Sequence, residues 1–210
     1  MNIDAVKILL EGSHSDGVDC TSADVKYGSG SEIEVETGLF LYGLLRRYNP
    51  RVGVETGTHR GYSSAWLALA MKDAVAFFPG RRPGVLFTVD VGEYEGEPED
   101  LWQKLGLSNI HHHIGDSLRF QPPIAPIDFL WLDADHGTEF IVNEWEHFKP
   151  WFNPHKMMVG FHDTRLDVRE GAAVKEIFQQ HMPGHYRHGC HLPMRNMRGL
   201  DLIFLTNEEL

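Results

Sequence analysis

The apolar positions of this chain alternate between two patterns. Short continuous runs rich in β-branched and aromatic residues predict strands at 52–56, 85–90, 110–115, 127–132, 157–162 and 200–206, with a weaker one near 186–190. Between them, apolar residues recur at helical spacing and predict helices over 62–73, 98–106, 139–150 and 170–181. A short helix is expected at 4–10, and a longer one from Glu32 to Tyr48, opened by a Ser31–Glu34 capping box and stopped by Asn49-Pro50. Runs such as Phe129-Leu-Trp-Leu132 suit strands buried on both faces. Strand-helix alternation of this kind predicts an α/β protein: a Rossmann-like, doubly wound, mainly parallel seven-stranded sheet with helices on both faces. One domain over residues 1–210 is expected, with N-terminal helices and a loop in 1–50 and the sheet core in 51–210.

Residues 11–31 hold Gly12, Gly17, Gly28 and Gly30 among serines and aspartates, and predict a lid able to reach the mouth of a ligand pocket. The segment 78–84, with two Pro-Gly steps, reads as a surface turn.

Doubly wound sheets bind ligands beyond the C-terminal ends of their strands, and here each such end carries a polar group. The first strand runs into Glu55-Thr-Gly57-Thr58-His-Arg-Gly61-Tyr-Ser63, a tight turn and then a helix start. A pyrophosphate-binding turn would read G-x-G-x-x-G, with helix amides facing the phosphate. The spacing E-x-G-x-x-x-G instead sets a carboxylate in the turn, which would repel phosphate and suits a ligand with hydroxyls or positive charge. The second strand ends at Asp90, placed to accept both hydroxyls of a ribose. The third ends at Gly115-Asp116-Ser117, the fourth at Asp133-Ala-Asp135-His136 and the fifth at His162-Asp163. Of these, Asp116 and Asp163 are the readiest to serve as plain helix caps.

From Val52 to Thr164 the chain resembles class I S-adenosylmethionine-dependent methyltransferases. The likeness is to the group with the variant first motif E-x-G-x-x-x-G-x-S, which includes catechol-type and macrocin O-methyltransferases and cephalosporin hydroxylase relatives. The position of the third, central glycine of the commoner motif is His59 here. The resemblance implies an enzyme that methylates a small-molecule hydroxyl with S-adenosylmethionine as cofactor. It implies that Glu55, Gly57, Thr58, Gly61 and Ser63 shape the site for the amino-acid part of the cofactor. Asp90 would hold the ribose, Asp116 and Ser117 would lie near the adenine, and Asp133 would complete the set. It further implies a divalent ion, Mg²⁺ or Mn²⁺, at Asp133, His162 and Asp163. Histidine at 162 departs from the all-oxygen pattern and favours Mn²⁺, Fe²⁺ or Zn²⁺ over Mg²⁺; a metal-free site in which His162 is structural or catalytic stays open. His136 stands where catechol-type relatives place a lysine base, and together with Asp133 is the catalytic candidate. A non-catalytic cofactor-binding protein, or a nicotinamide-dependent enzyme on a similar sheet, also remains open.

Composition narrows the partners. A net charge of −11 disfavours nucleic acid and anionic membranes. The longest apolar runs fall short of a membrane span, Met1–Lys7 lacks the regions of a signal peptide, and Cys20 and Cys190 make no disulfide framework. The expectation is a cytoplasmic protein acting on a small molecule, with a homo-oligomer allowed. Thirteen histidines include His111-His-His113, whose members must face alternate sides of a strand, and a tail set of His181, His185, His188, Cys190 and His191 without zinc-type spacing. For the acceptor pocket, Tyr27, Trp145, Tyr186, Arg165, Arg169, Arg195 and Arg198 are candidates.

Overall fold

The computed structural model describes residues 5, 7–9, 33–78, 80–92, 98–164, 168–194 and 198–207. Seven strands form one sheet: β1 Val52–Thr56, β2 Val85–Asp90, β3 Ile110–Ile114, β4 Phe129–Leu132, β5 Lys156–His162, β6 His188–Met194 and β7 Leu200–Thr206, in the order β3-β2-β1-β4-β5-β7-β6. The first five are parallel to one another, and β7 runs antiparallel between β5 and β6. The order reverses between β1 and β4, which creates the crevice of a doubly wound sheet.

Residues 5 and 7–9 are helical, and the other described helices that flank the sheet are α1 Val35–Tyr48, α2 Tyr62–Asp73, α3 Pro98–Lys104, α4 Thr138–Phe148 and α5 Val168–Glu176, the last continuing as a π turn, Ile177–His181. The pleat of β4 shows how both faces are filled. Phe129 and Trp131 pack with Leu41, Leu45, Trp66 and Trp102 of α1, α2 and α3, while Leu130 and Leu132 pack with Trp145, Phe148, Val174 and Ile177 of α4 and α5. Ser63 to Met71 of α2 are all buried, so this helix lies deepest. Gly38 and Gly160 permit two close contacts: a Cβ there would fall 2.5 Å from the Trp66 indole and 2.6 Å from the Trp131 ring.

Several boundaries differ from the expectation. Ile127 makes only an isolated bridge to Phe152, so β4 begins at Phe129. The uncertain strand near 186–190 is a full seven-residue strand, paired along its length with β7. Helix α1 starts at Val35, not Glu32. Glu34 is therefore its cap residue and makes no side-chain cap bond. Ser31 and the expected lid 11–31 lie outside the described residues. No helix among the described residues is long and apolar enough to cross a membrane.

The histidine run behaves as its alternation demands. His111 stacks on Phe87 and His113 lies against Phe120, whereas His112 meets Trp102 and Glu99 on the other face. In the tail, His191 is paired with Asp201 and His181 with Glu146.

Candidate functional site

The turn after β1 is built on positive φ angles. Gly57 (φ 85°) leaves no room for a side chain, since a Cβ would meet the Asp133 carbonyl oxygen at 2.1 Å. His59, in the central-glycine position, also takes a left-handed φ, of 45°. The conformation is thus kept without the glycine, in a region histidine enters more readily than most residues. Gly61 (φ 77°) caps α2, and its carbonyl accepts a hydrogen bond from Trp102 Nε1 at 2.9 Å. Its small size serves contact with α3, with Pro98 and Trp102 beside it, where an approach of helix to strand had been expected.

Beneath this turn lies a polar floor closed to solvent. Glu55 is fully buried and accepts a hydrogen bond from Ser64 Oγ, while Thr58 and Thr88 share a bond of 2.6 Å. Burial pushes the Glu55 carboxyl up to about 7, against the Ser63 and Ser64 hydroxyls. Ser64 and Thr88, which the sequence did not single out, thus hold the motif acid in place.

Asp90 sits at the lip, 8% exposed. Its Oδ2 accepts the His59 amide at 2.9 Å and its Oδ1 the Gly92 amide at 3.1 Å. One carboxylate therefore ties the first turn to the loop after β2, beside Val91, an exposed apolar residue. Asp116 is a cap, accepting from Leu118 N at 2.9 Å, and Ser117 is buried next to it. Behind Ser117 lies Glu144 of α4, fully buried; burial raises its carboxyl to about 7, and the Ser117 and Thr56 hydroxyls oppose that rise.

At the ends of β4 and β5 a charged cluster forms. His162 is 3% exposed, over the Trp131 ring at 5.7 Å between centroids. Its Nδ1 lies 3.3 Å from Asp133 Oδ1 and 3.5 Å from Asp163 Oδ1, and its Nε2 lies 3.0 Å from Glu34 Oε2. Burial alone would lower the imidazole pKa, but the Asp133, Asp163 and Glu34 carboxylates outweigh it and hold the ring well above its ordinary value. Asp163, at φ 57°, is no helix cap. It is buried, and its Oδ1 lies 2.9 Å from Arg198 Nε, an ion pair without the alignment of a hydrogen bond.

His136 and Glu170 make a second pair. His136 Nδ1 contacts Glu170 Oε1, and this bond is the main cause that lifts His136 to about 9. Burial raises Glu170 to about 7 even beside the imidazole. His136 therefore carries a proton at neutral pH, where a ring of ordinary basicity had been expected. Ligand atoms of Asp133, His162 and Asp163 lie within 4.8 Å of one another, as do those of His136, Asp163 and Glu170. The first set fits a divalent ion by its donors, an imidazole nitrogen facing two carboxylates, although Asp163 Oδ1 also meets Arg198.

Some candidates fall elsewhere. Trp145 is wholly in the core, and the Tyr186 hydroxyl donates to the Asn153 carbonyl, so neither lines a pocket at the strand ends. Arg198 joins the Asp163 cluster, and Arg169 lies on exposed α5 surface, its carbonyl accepting from Thr138. Tyr27, Arg165 and Arg195 lie outside the described residues.

No curated protein matches the sequence. Solved structures share the fold at low identity. An O-methyltransferase from Bacillus cereus, in complex with SAH, is 16% identical over 97% of this chain and 90% of its own, with a TM-score of 0.67. TomG from Streptomyces achromogenes, an O-methyltransferase involved in tomaymycin synthesis and solved with SAM, is 18% identical over 83% of this chain and 81% of its own, with a TM-score of 0.65. A caffeoyl-CoA O-methyltransferase, so described, from Staphylococcus aureus is 17% identical over 83% and 84%, with a TM-score of 0.61. The family described as a methyltransferase domain matches residues 54–164, the span that carries every strand end of the site, and the chain belongs to that family.

Proposed function

We propose that the chain transfers a methyl group from S-adenosylmethionine to a hydroxyl oxygen of a small molecule. The observation that carries this reading is the adjacency of β2, β1, β4 and β5 in the sheet, which sets Asp90, the Gly57 turn, Asp133 and the His162–Asp163 pair side by side along one edge. In this reading the ribose hydroxyls meet Asp90, the adenine covers Val91 near Ser117, and the amino-acid part lies over the Gly57 turn. Glu55 supports the turn from beneath through Ser64, since its carboxylate is closed to solvent. The cofactors reported with the Bacillus cereus and Streptomyces achromogenes enzymes support the choice.

Methyl transfer is an in-line displacement whose activated carbon belongs to the cofactor. The chain must align the acceptor oxygen and remove its proton. His136, half exposed beside the cluster, is the base in this reading, and because Glu170 holds it protonated at neutral pH it works better as pH rises toward 9. Asp133, His162 and Asp163 would hold a divalent ion, with Mn²⁺ suited to the mixed nitrogen and oxygen donors. Such an ion, when bound, supplies positive charge that lowers the pKa of a coordinated hydroxyl. The test is transfer of isotope-labelled methyl from S-adenosylmethionine to small molecules bearing neighbouring hydroxyls. Label in the acceptor supports the reading. Tight cofactor binding with no transfer to any acceptor would instead mark a silent binding protein.

A further inference from the structure

Glu34 lies outside the matched span and 128 residues from His162 in sequence, yet it faces that ring at 3.0 Å. It caps α1 only in position: its side chain makes no cap bond to the helix backbone, and glutamate is not among the residues favoured at that place. Instead its Oε2 turns inward to His162 Nε2, with its side chain only 12% exposed. Placing a carboxylate there is costly unless it is paired, and His162 is the partner it has.

The two ring nitrogens of His162 have different surroundings. Nε2 faces one carboxylate, Glu34; Nδ1 faces two, Asp133 and Asp163. A lone pair at Nδ1 pointing at two carboxylates is repulsive, so Nδ1 carries either a proton or a metal ion. Histidines that bind metals through one nitrogen almost always donate the other N–H to a carboxylate, a carbonyl or water, which fixes the tautomer and the tilt of the ring. Here Glu34 stands in that outer place, and Trp131 supports the ring from below. Helix α1 is itself fixed, because Gly38 presses against Trp66 of α2.

We propose that Glu34 is a positioning residue for a divalent ion at Asp133, His162 and Asp163: it accepts the Nε2 proton of His162 and so commits Nδ1 to the ion. This rests on the reading of that trio as an ion site. It makes Glu34 part of the site, although the family match begins only at residue 54.

The experiment is titration of the full chain with Mn²⁺ alone, followed by electron paramagnetic resonance of the free ion, in wild type, Glu34→Gln, Glu34→Ala and Asp133→Asn. Thermal unfolding checks that each variant is folded, and the near-isosteric Gln variant carries the test should the Ala variant not fold. Wild type is expected to bind one Mn²⁺ and Asp133→Asn to lose it. Glu34→Ala should bind roughly 10- to 100-fold more weakly, the range for loss of an outer-shell partner. Glu34→Gln should fall between, since its amide oxygen can still accept the Nε2 proton. With Zn²⁺ as a diamagnetic probe, the His162 nitrogen resonances should show metal at Nδ1 and a proton at Nε2. Unchanged Mn²⁺ affinity in both Glu34 variants, with Asp133→Asn defective, overturns the role of Glu34 alone. No Mn²⁺ binding by wild type overturns the ion site, and the role of Glu34 with it.

Discussion

Replacing Asp90 is the sharpest perturbation of the cofactor reading. Its carboxylate offers about four acceptor positions, and two are filled by the backbone amides of His59 and Gly92. Two remain, one for each ribose hydroxyl. Hydrogen bonds to a charged group contribute about 1.5–3 kcal/mol each. At the lower end, two of them amount to about 3 kcal/mol, or roughly 100-fold in dissociation constant. Asp90→Ala also frees the His59 amide, so the turn after β1 loses its anchor and the loss should be at least that large. A double-mutant cycle separates the direct contact from the loosened turn. Calorimetric titration would compare S-adenosylhomocysteine with its 2′-deoxy analogue in wild type and in Asp90→Ala. Wild type should discriminate against the analogue and the variant should not. Wild-type affinity in Asp90→Ala, or equal discrimination by both proteins, would refute the ribose assignment.

Three further outcomes are expected. Glu144, buried with a carboxyl raised to about 7, should depress stability above neutrality. In the folded state it keeps its proton up to about 7, while unfolded it releases it near 4.5. The folded state therefore binds more protons between these values, and stability falls as pH rises through that window. Glu144→Gln should raise the melting temperature at pH 8 and flatten that slope, by an amount on the order of 3 kcal/mol at most; an unchanged or lower melting temperature at pH 8 would contradict it. Glu170→Gln removes the main cause of the raised His136 pKa, so an imidazole NMR titration should find His136 at least one unit below about 9; no change would remove Glu170 from the account. Chelation should abolish methyl transfer, and Mn²⁺ should restore it at least as well as Mg²⁺; activity that survives exhaustive chelation would leave the proton to His136 alone.

The sheet was legible because its central strands are buried on both faces and so read as unbroken apolar runs, each closed by an acid or a glycine. Asp90, Gly57 and the Asp133–His162–Asp163 set stand at strand ends, where punctuation of the pattern marks them. The long edge strand β6 was less legible, since its residues are half exposed and include Gly189 and Pro193. Glu144 and Glu170 were missed because acids on helices usually face solvent. A signal was nevertheless present. Glu144 falls three residues after Ile141 and four before Phe148, and Glu170 falls three, four and seven residues before Ala173, Val174 and Ile177. Both acids lie on the apolar stripe of their helices, where a carboxylate is costly to bury. Glu34 had no such signal: its three-residue spacing from Ser31 suggested a local cap, and only the tertiary fold brings it to His162.

The central claim is that this row of strand ends holds S-adenosylmethionine. Its most direct test is a crystal structure of the chain with S-adenosylhomocysteine. The account predicts one ligand per chain across the ends of β2, β1 and β4, with both ribose hydroxyls within hydrogen-bond distance of Asp90 and the amino-acid part over the Gly57 turn. A ligand bound elsewhere, or a ribose turned away from Asp90, would contradict it.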